Sequence, residues 1–181
     1  THGTVSITTL EGTMEGAADD GTADIVGTTI TLAADGNNKG IGAGTTIDVD
    51  ADILNISTTS AAAAQSGSIV IDDVSTDITA LTSITTGDEN TAGNITIAKG
   101  AGALTIGAVA AGGSVAGLGN VTLSAATSIT ELTDDTTIDI TGNVVTLTAA
   151  SGGITGNVTT FAADALKALE VEAVSLNLSS T

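Results

Sequence analysis

The sequence predicts an all-β fold, a parallel β-helix (β-solenoid), on three observations. A glycine followed by a polar residue and β-branched residues keeps returning: Gly44-Thr45-Thr46-Ile47, Gly67-Ser68-Ile69-Val70-Ile71, Gly93-Asn94-Ile95-Thr96-Ile97, Gly119-Asn120-Val121-Thr122-Leu123 and Gly142-Asn143-Val144. The glycines lie 23 to 26 residues apart, a period that suits one coil of a repeat protein. Aromatic residues are 1% of the 181 residues and Phe161 is their sole representative. A core without large rings must be narrow and filled with Val, Ile, Leu and Ala. Pro is absent, which leaves every backbone N–H free to join an inter-coil ladder.

The repeat extends beyond its signature. Laying 67–92 over 93–118 without a gap matches Ile69 with Ile95, Ile71 with Ile97, Ile78 with Leu104 and Thr79 with Thr105. One repeat thus holds an alternating strand, a polar bend, a second apolar strand and a Gly-rich return. Neither strand can bury its apolar face alone, but stacked coils cover one another. Ile69, Ile95 and Val121 are expected to form a column, and an Asp in place of Ile95 or Leu104 is expected to break it, because a buried lone charge costs several kcal/mol. Seven or eight coils are expected. With 41% hydrophobic residues at strand period, the chain has the apolar content that disordered sequences lack.

Taken in order, Val5–Ile7 reads as a strand and Glu11–Gly21 as an acidic loop. Residues 23–32 alternate and read as a half-buried strand. Asp35–Gly42 is a turn cluster. Ile47–Val49 and Ile53–Ile56 read as two strands about an Asp-rich corner. Residues 57–67, with four successive alanines, read as a loop or a single helical turn. Strands are expected at 68–72, 77–84, 94–97, 103–107, 120–123, 127–132, 136–140 and 143–148. Phe161–Leu178 favours strands, because Leu169, Val171 and Ala173 alternate with Glu170 and Glu172. A capping helix is its rival, since Ala162–Leu169 has helical propensity. The whole of 1–181 reads as one continuous segment, an excerpt or processed piece of a longer repeat protein, or a filament subunit.

Net charge is −18, from 21 acidic residues against Lys39, Lys99 and Lys167. Phosphate recognition requires a basic surface, so nucleic acid is not an expected partner. Anionic membrane surfaces are disfavoured for the same reason, and no apolar run is long enough to span a bilayer. There is no cysteine, hence neither disulfide nor thiol chemistry. His2, the single histidine, stands at the terminus, where a Ser–His–Asp arrangement would lack an oriented base. Paired carboxylates could cleave glycosides, but that chemistry draws on an apolar pocket to raise one pKa, and here sugar-stacking rings are missing too. No catalytic, cofactor or metal residue is assigned, and an enzyme is not expected.

Four acidic clusters stand out: Asp19-Asp20, Asp48/Asp50/Asp52, Asp72-Asp73 and Asp134-Asp135. On a continuous strand, Asp48, Asp50 and Asp52 would share one face. Their plainest reading is solvated corners and Asx turns, with weak calcium binding as the alternative. Asn-x-Ser/Thr triplets begin at Asn55, Asn94, Asn120, Asn157 and Asn177. Each could accept a glycan, but an asparagine at a repeated bend more readily forms a ladder. Thr29/Thr31 and Thr146/Thr148 are too few to make an ice-ordering array.

The phrases Gly93–Ile97, Gly119–Leu123, Val145–Gly156 and Lys39–Asn55 resemble the repeats of large bacterial exoproteins of the filamentous-haemagglutinin type. The resemblance covers most of 23–160. It implies a right-handed single-stranded parallel β-helix, export, and a place in an adhesin stalk or surface fibre. The expected function is therefore structural, at the bacterial cell surface or outside the cell. Expected partners are copies of the chain or adjoining repeats, and a host or neighbouring-cell surface. A self-assembling head-to-tail filament and a calcium- or glycan-binding module are the alternatives.

Overall fold

Strand after strand of this chain returns to lie parallel to the one a coil earlier. The computed structural model describes residues 2–36, 38–59, 67–87, 93–112, 119–133, 135–156 and 168–181. Among them run β1 (Thr4–Leu10), β2 (Ile25–Asp35), β3 (Ile47–Thr59), β4 (Ile69–Asp73), β5 (Thr79–Thr86), β6 (Ile95–Lys99), β7 (Leu104–Ile106), β8 (Val109–Ala111), β9 (Val121–Ala125), β10 (Ser128–Glu131), β11 (Ile140–Ala149), β12 (Gly153–Thr155) and β13 (Val171–Ser180). The result is a parallel β-solenoid of about five turns, roughly 25 residues per turn. That is fewer than the expected seven or eight coils. The terminal strands β1 and β13 each pair with a single neighbour, so they lengthen columns without closing further turns.

Three columns build the core. In the first, Ile69 stacks on Ile95, Val121, Val145 and Leu176, with Ile71, Ile97, Leu123, Leu147 and Leu178 beside them. Single bridges extend it upstream from Ile69 to Ile41 and from Ile41 to Met14. The second runs Val5, Ile30, Leu54, Leu81, Ile106 and Glu131. The third runs Ile7, Leu32, Ile56, Ile84, Val109, Ile140 and Val171. The middle members are fully buried. Burying each Ile or Leu contributes about 1.5–3 kcal/mol, and the period-2 alternation gives every coil two such residues per face. The expected Ile69–Ile95–Val121 column is present.

The bends explain the repeated glycine. A methyl on Gly67 would collide with the backbone of Lys39 and Gly40, and one on Gly93 with that of Gly67 and Ser68. Only a residue without Cβ lets successive coils approach so closely. The strand before each of these bends is clasped to it: buried Thr58 and Thr86 donate Oγ1–H to the carbonyls of Gly67 and Gly93, both at 2.7 Å.

Several boundaries differ from expectation. Residues 47–59 form one strand, not two about a corner, because β2 supplies an almost unbroken partner along that edge. Residues 140–149 are likewise one strand, spanning the bend between a column on β8 and a column on β9, and 136–139 are not strand. β8 and β12 are too short to announce themselves. The gapless overlay slips by one residue at its second strand: Thr79, not Ile78, pairs with Leu104, and Ile78 is 61% exposed. Strand is the outcome over Val171–Leu178. Phe161–Lys167, the alanines of 61–64, Asp134 and Asn157 lie outside the described residues.

Candidate functional site

Alternation along β4 and β6 places two charges inside the solenoid. Ile69 and Ile71 face inward, so Asp73 does too; Ile95 and Ile97 face inward, so Lys99 follows. Asp73 and Lys99 are register partners, with Val49 above and Ala125 below. Lys99 Nζ lies 3.3 Å from Asp73 Oδ2, and both side chains are wholly buried. The ammonium also donates to Ser75 Oγ at 2.6 Å and to the Ser75 carbonyl at 2.9 Å. Asp73 accepts from the Ser75 amide at 2.9 Å and from the Thr79 hydroxyl. Thr79 is thereby claimed for the interior, which is the physical reason for the one-residue slip that turns Ile78 outward.

Outward-facing residues of β3 and β4 make a different cluster. Asp48 on β3 and Asp72 on β4 are register partners, and Asp19 reaches them from the 11–24 loop. One carboxylate oxygen of each lies within 4.8 Å of the others. The loop folds over Asp48: Gly21 N–H donates to Asp48 Oδ2 at 3.1 Å, and Asp24 and Asp48 exchange bonds at 2.7 and 3.2 Å. Asp48 is consequently 0% exposed although it points away from the core. Asp48 Oδ1 and Asp72 Oδ1 are buried without a hydrogen-bond partner. Burial, then the charges of Asp48 and Asp19, push the Asp72 carboxyl above the ordinary range, with Lys99 pulling weakly the other way.

A second carboxylate group joins Glu131, Asp139 and Glu170, again with oxygens within 4.8 Å. Glu131 continues the column below Ile106, and its Oε1 accepts the Asp135 amide at 3.1 Å. Asp139 Oδ2 accepts the Glu170 amide at 3.0 Å. Burial raises the Asp139 carboxyl to about 7, helped by the neighbouring Glu131 and Glu170 charges and opposed by the Glu170 amide.

The remaining sequence candidates fall into place around these. Solvated Asx turns hold at Asp20, which accepts the Thr22 amide at 2.9 Å, and at Asp135, whose carboxyl is lowered by the Thr137 amide. They do not hold at Asp48 or Asp73, which are buried. Asp48, Asp50 and Asp52 do not act together either. Asp50 and Asp52 line a shallow hollow with His2, Ser75 and Asp77, where Ser75 Oγ is engaged by Lys99. The asparagines of the bends form the expected ladder: Asn94 Oδ1 accepts the Asn120 amide at 2.9 Å, and Asn120 Oδ1 accepts the Val144 amide at 3.2 Å. Threonines also stack outward, Thr96 on Thr122 on Thr146, an array that the Thr-x-Thr pairs along the chain did not reveal.

The inward Asp73–Lys99 pair had a readable signal, namely opposite charges at equivalent inward positions of consecutive repeats. Glu131 had one too, two residues beyond inward Ile129. Asp19 had none, because its approach depends on how the loop folds. No helix among the described residues is long and apolar enough to cross a membrane. Compared with protein-family models, curated proteins and solved structures, the chain matches none.

Proposed function

We propose that this chain is a structural, non-catalytic module of a secreted or cell-surface bacterial fibre or adhesin, with repeats of the filamentous-haemagglutinin kind and a right-handed coil. The observation that carries the reading is the parallel pairing of successive strands along the stack. Each coil is hydrogen-bonded to the next and its apolar residues repeat in columns, so load along the rod is shared by many backbone bonds. The acidic surface, at net charge −18, keeps neighbouring rods apart and suits an extracellular setting. Its partners on this reading are adjoining repeats and the surface of a host or neighbouring cell.

A second reading, a filament that grows end to end, is favoured by β13. Leu176 and Leu178 continue the first core column yet remain 47% and 59% exposed, and among the described residues β13 pairs only with β11, which leaves its other edge open. Another coil, from an adjoining repeat or a second copy, would cover both. Electron microscopy of the purified chain separates the readings. Dispersed short rods are expected for the module and long fibres for the filament. Compact globules would contradict both.

A further inference from the structure

We propose that Asp19, Asp48 and Asp72 bind one divalent cation of the hard, oxygen-seeking class, with Ca2+ the best match, and that this ion fastens the 11–24 loop to the outer face of β3 and β4. Three carboxylates with oxygens within 4.8 Å of one another are the donor type that calcium prefers. The independent observation is Asp48 itself. Its side chain is 0% exposed, and its Oδ1 is buried without a partner although the chain spends a backbone amide on the other oxygen. Asp72 Oδ1 repeats the pattern one strand along.

Two stacked carboxylates, Asp48 buried and Asp72 half-buried, each with a buried unpartnered Oδ1, repel one another more than solvated ones would. Lys99 relieves Asp72 only weakly, because its ammonium faces inward to Asp73. Beyond Asp72 the column carries no acid, since the next position is Ala98. Asp19 is exposed, which provides an entry path and room for water to complete the coordination sphere. Calcium tolerates such an irregular, partly hydrated set, whereas magnesium demands a near-ideal octahedron and zinc favours nitrogen and sulfur ligands.

The test is thermal unfolding and calorimetric titration of the whole chain with CaCl2 against EDTA. With CaCl2 at 100 times its dissociation constant, the melting temperature should rise by about 5–10 °C, and NaCl of equal ionic strength should not reproduce the rise. Asp48→Asn should lose the rise and one equivalent of bound ion, yet melt no lower than wild type in EDTA, because it removes a repelling charge. Asp19→Asn, on the exposed loop and harmless to folding, should weaken binding at least tenfold. Glu131→Gln, in the other carboxylate group, should keep the rise. The proposal is overturned if CaCl2 gives no rise, if NaCl gives the same rise, or if Asp48→Asn and Asp19→Asn respond as wild type does.

Discussion

Asp72 and Asp73 are neighbours in sequence and opposites in circumstance. Asp73 points inward, and the next coil supplies Lys99 at the same register position, 3.3 Å away. Asp72 points outward, and its register partner on the preceding coil is another acid, Asp48. In-register stacking therefore amplifies whatever charge the sequence places in a column. It can satisfy a buried charge completely or concentrate like charges where the chain itself has no answer. The inner pair is a finished structural element, and the outer pair is an incomplete one.

The largest expected effect comes from breaking the inner pair. Lys99→Met should destabilise the fold by about 3–5 kcal/mol, since it strands a buried carboxylate. Adding Asp73→Val should recover most of that loss, because a buried ion pair replaced by apolar residues is often neutral. Chemical denaturation of the two variants measures both. If Lys99→Met alone is harmless, the pair is not buried as described.

Next in size is a pH effect at the other carboxylate group. Asp139 is raised to about 7 in the folded chain, against an unfolded value near the usual 3.8. Between those values the folded chain holds a proton that the unfolded chain releases, so stability falls as pH rises through that window and then levels off. Melting curves in EDTA from pH 4 to 8 should show this decline, and Asp139→Asn should flatten it. An unchanged slope in the variant would remove Asp139 as its source. Asp72, also raised, contributes a residual slope of the same sign.

Smaller effects mark the solvent-facing bends. Asn120→Ala removes the Oδ1 that accepts the Val144 amide, while its own backbone N–H still donates to Asn94, and should cost about 0.5–1.5 kcal/mol. Asp20→Ala, on an exposed turn, should stay within about 0.5 kcal/mol of wild type. Equal losses in these two variants would mean that the ladder adds nothing beyond an ordinary turn.

The columns were legible because alternation and the glycine period are local properties of the chain. Ile69, Ile95 and Val121 could be aligned by eye, and the glycines carry their own steric reason at Gly67 and Gly93. The one-residue slip at Thr79 was not legible. It is set by polar bonds to Ala51 and Asp73, which outweigh the exposure of Ile78. The continuous β3 is hidden because acidic residues normally signal corners, and here Asp50 and Asp52 ride on the outward face of a strand that runs on from Ile47 to Thr59. The Asp73–Lys99 pair was encoded at inward phase in successive repeats, but charges were read as surface by default. The meeting of Asp19 with Asp48 and Asp72 depends on a loop path that no periodicity describes.

The central claim is that successive coils stack parallel and in register, and backbone nuclear Overhauser effects test it most directly. The account predicts interstrand Hα–amide contacts in the parallel pattern linking the Ile95–Ile97 segment with Val121–Leu123, at a constant offset of 26 residues. Antiparallel contacts, a different offset, or no contacts between these segments would contradict it.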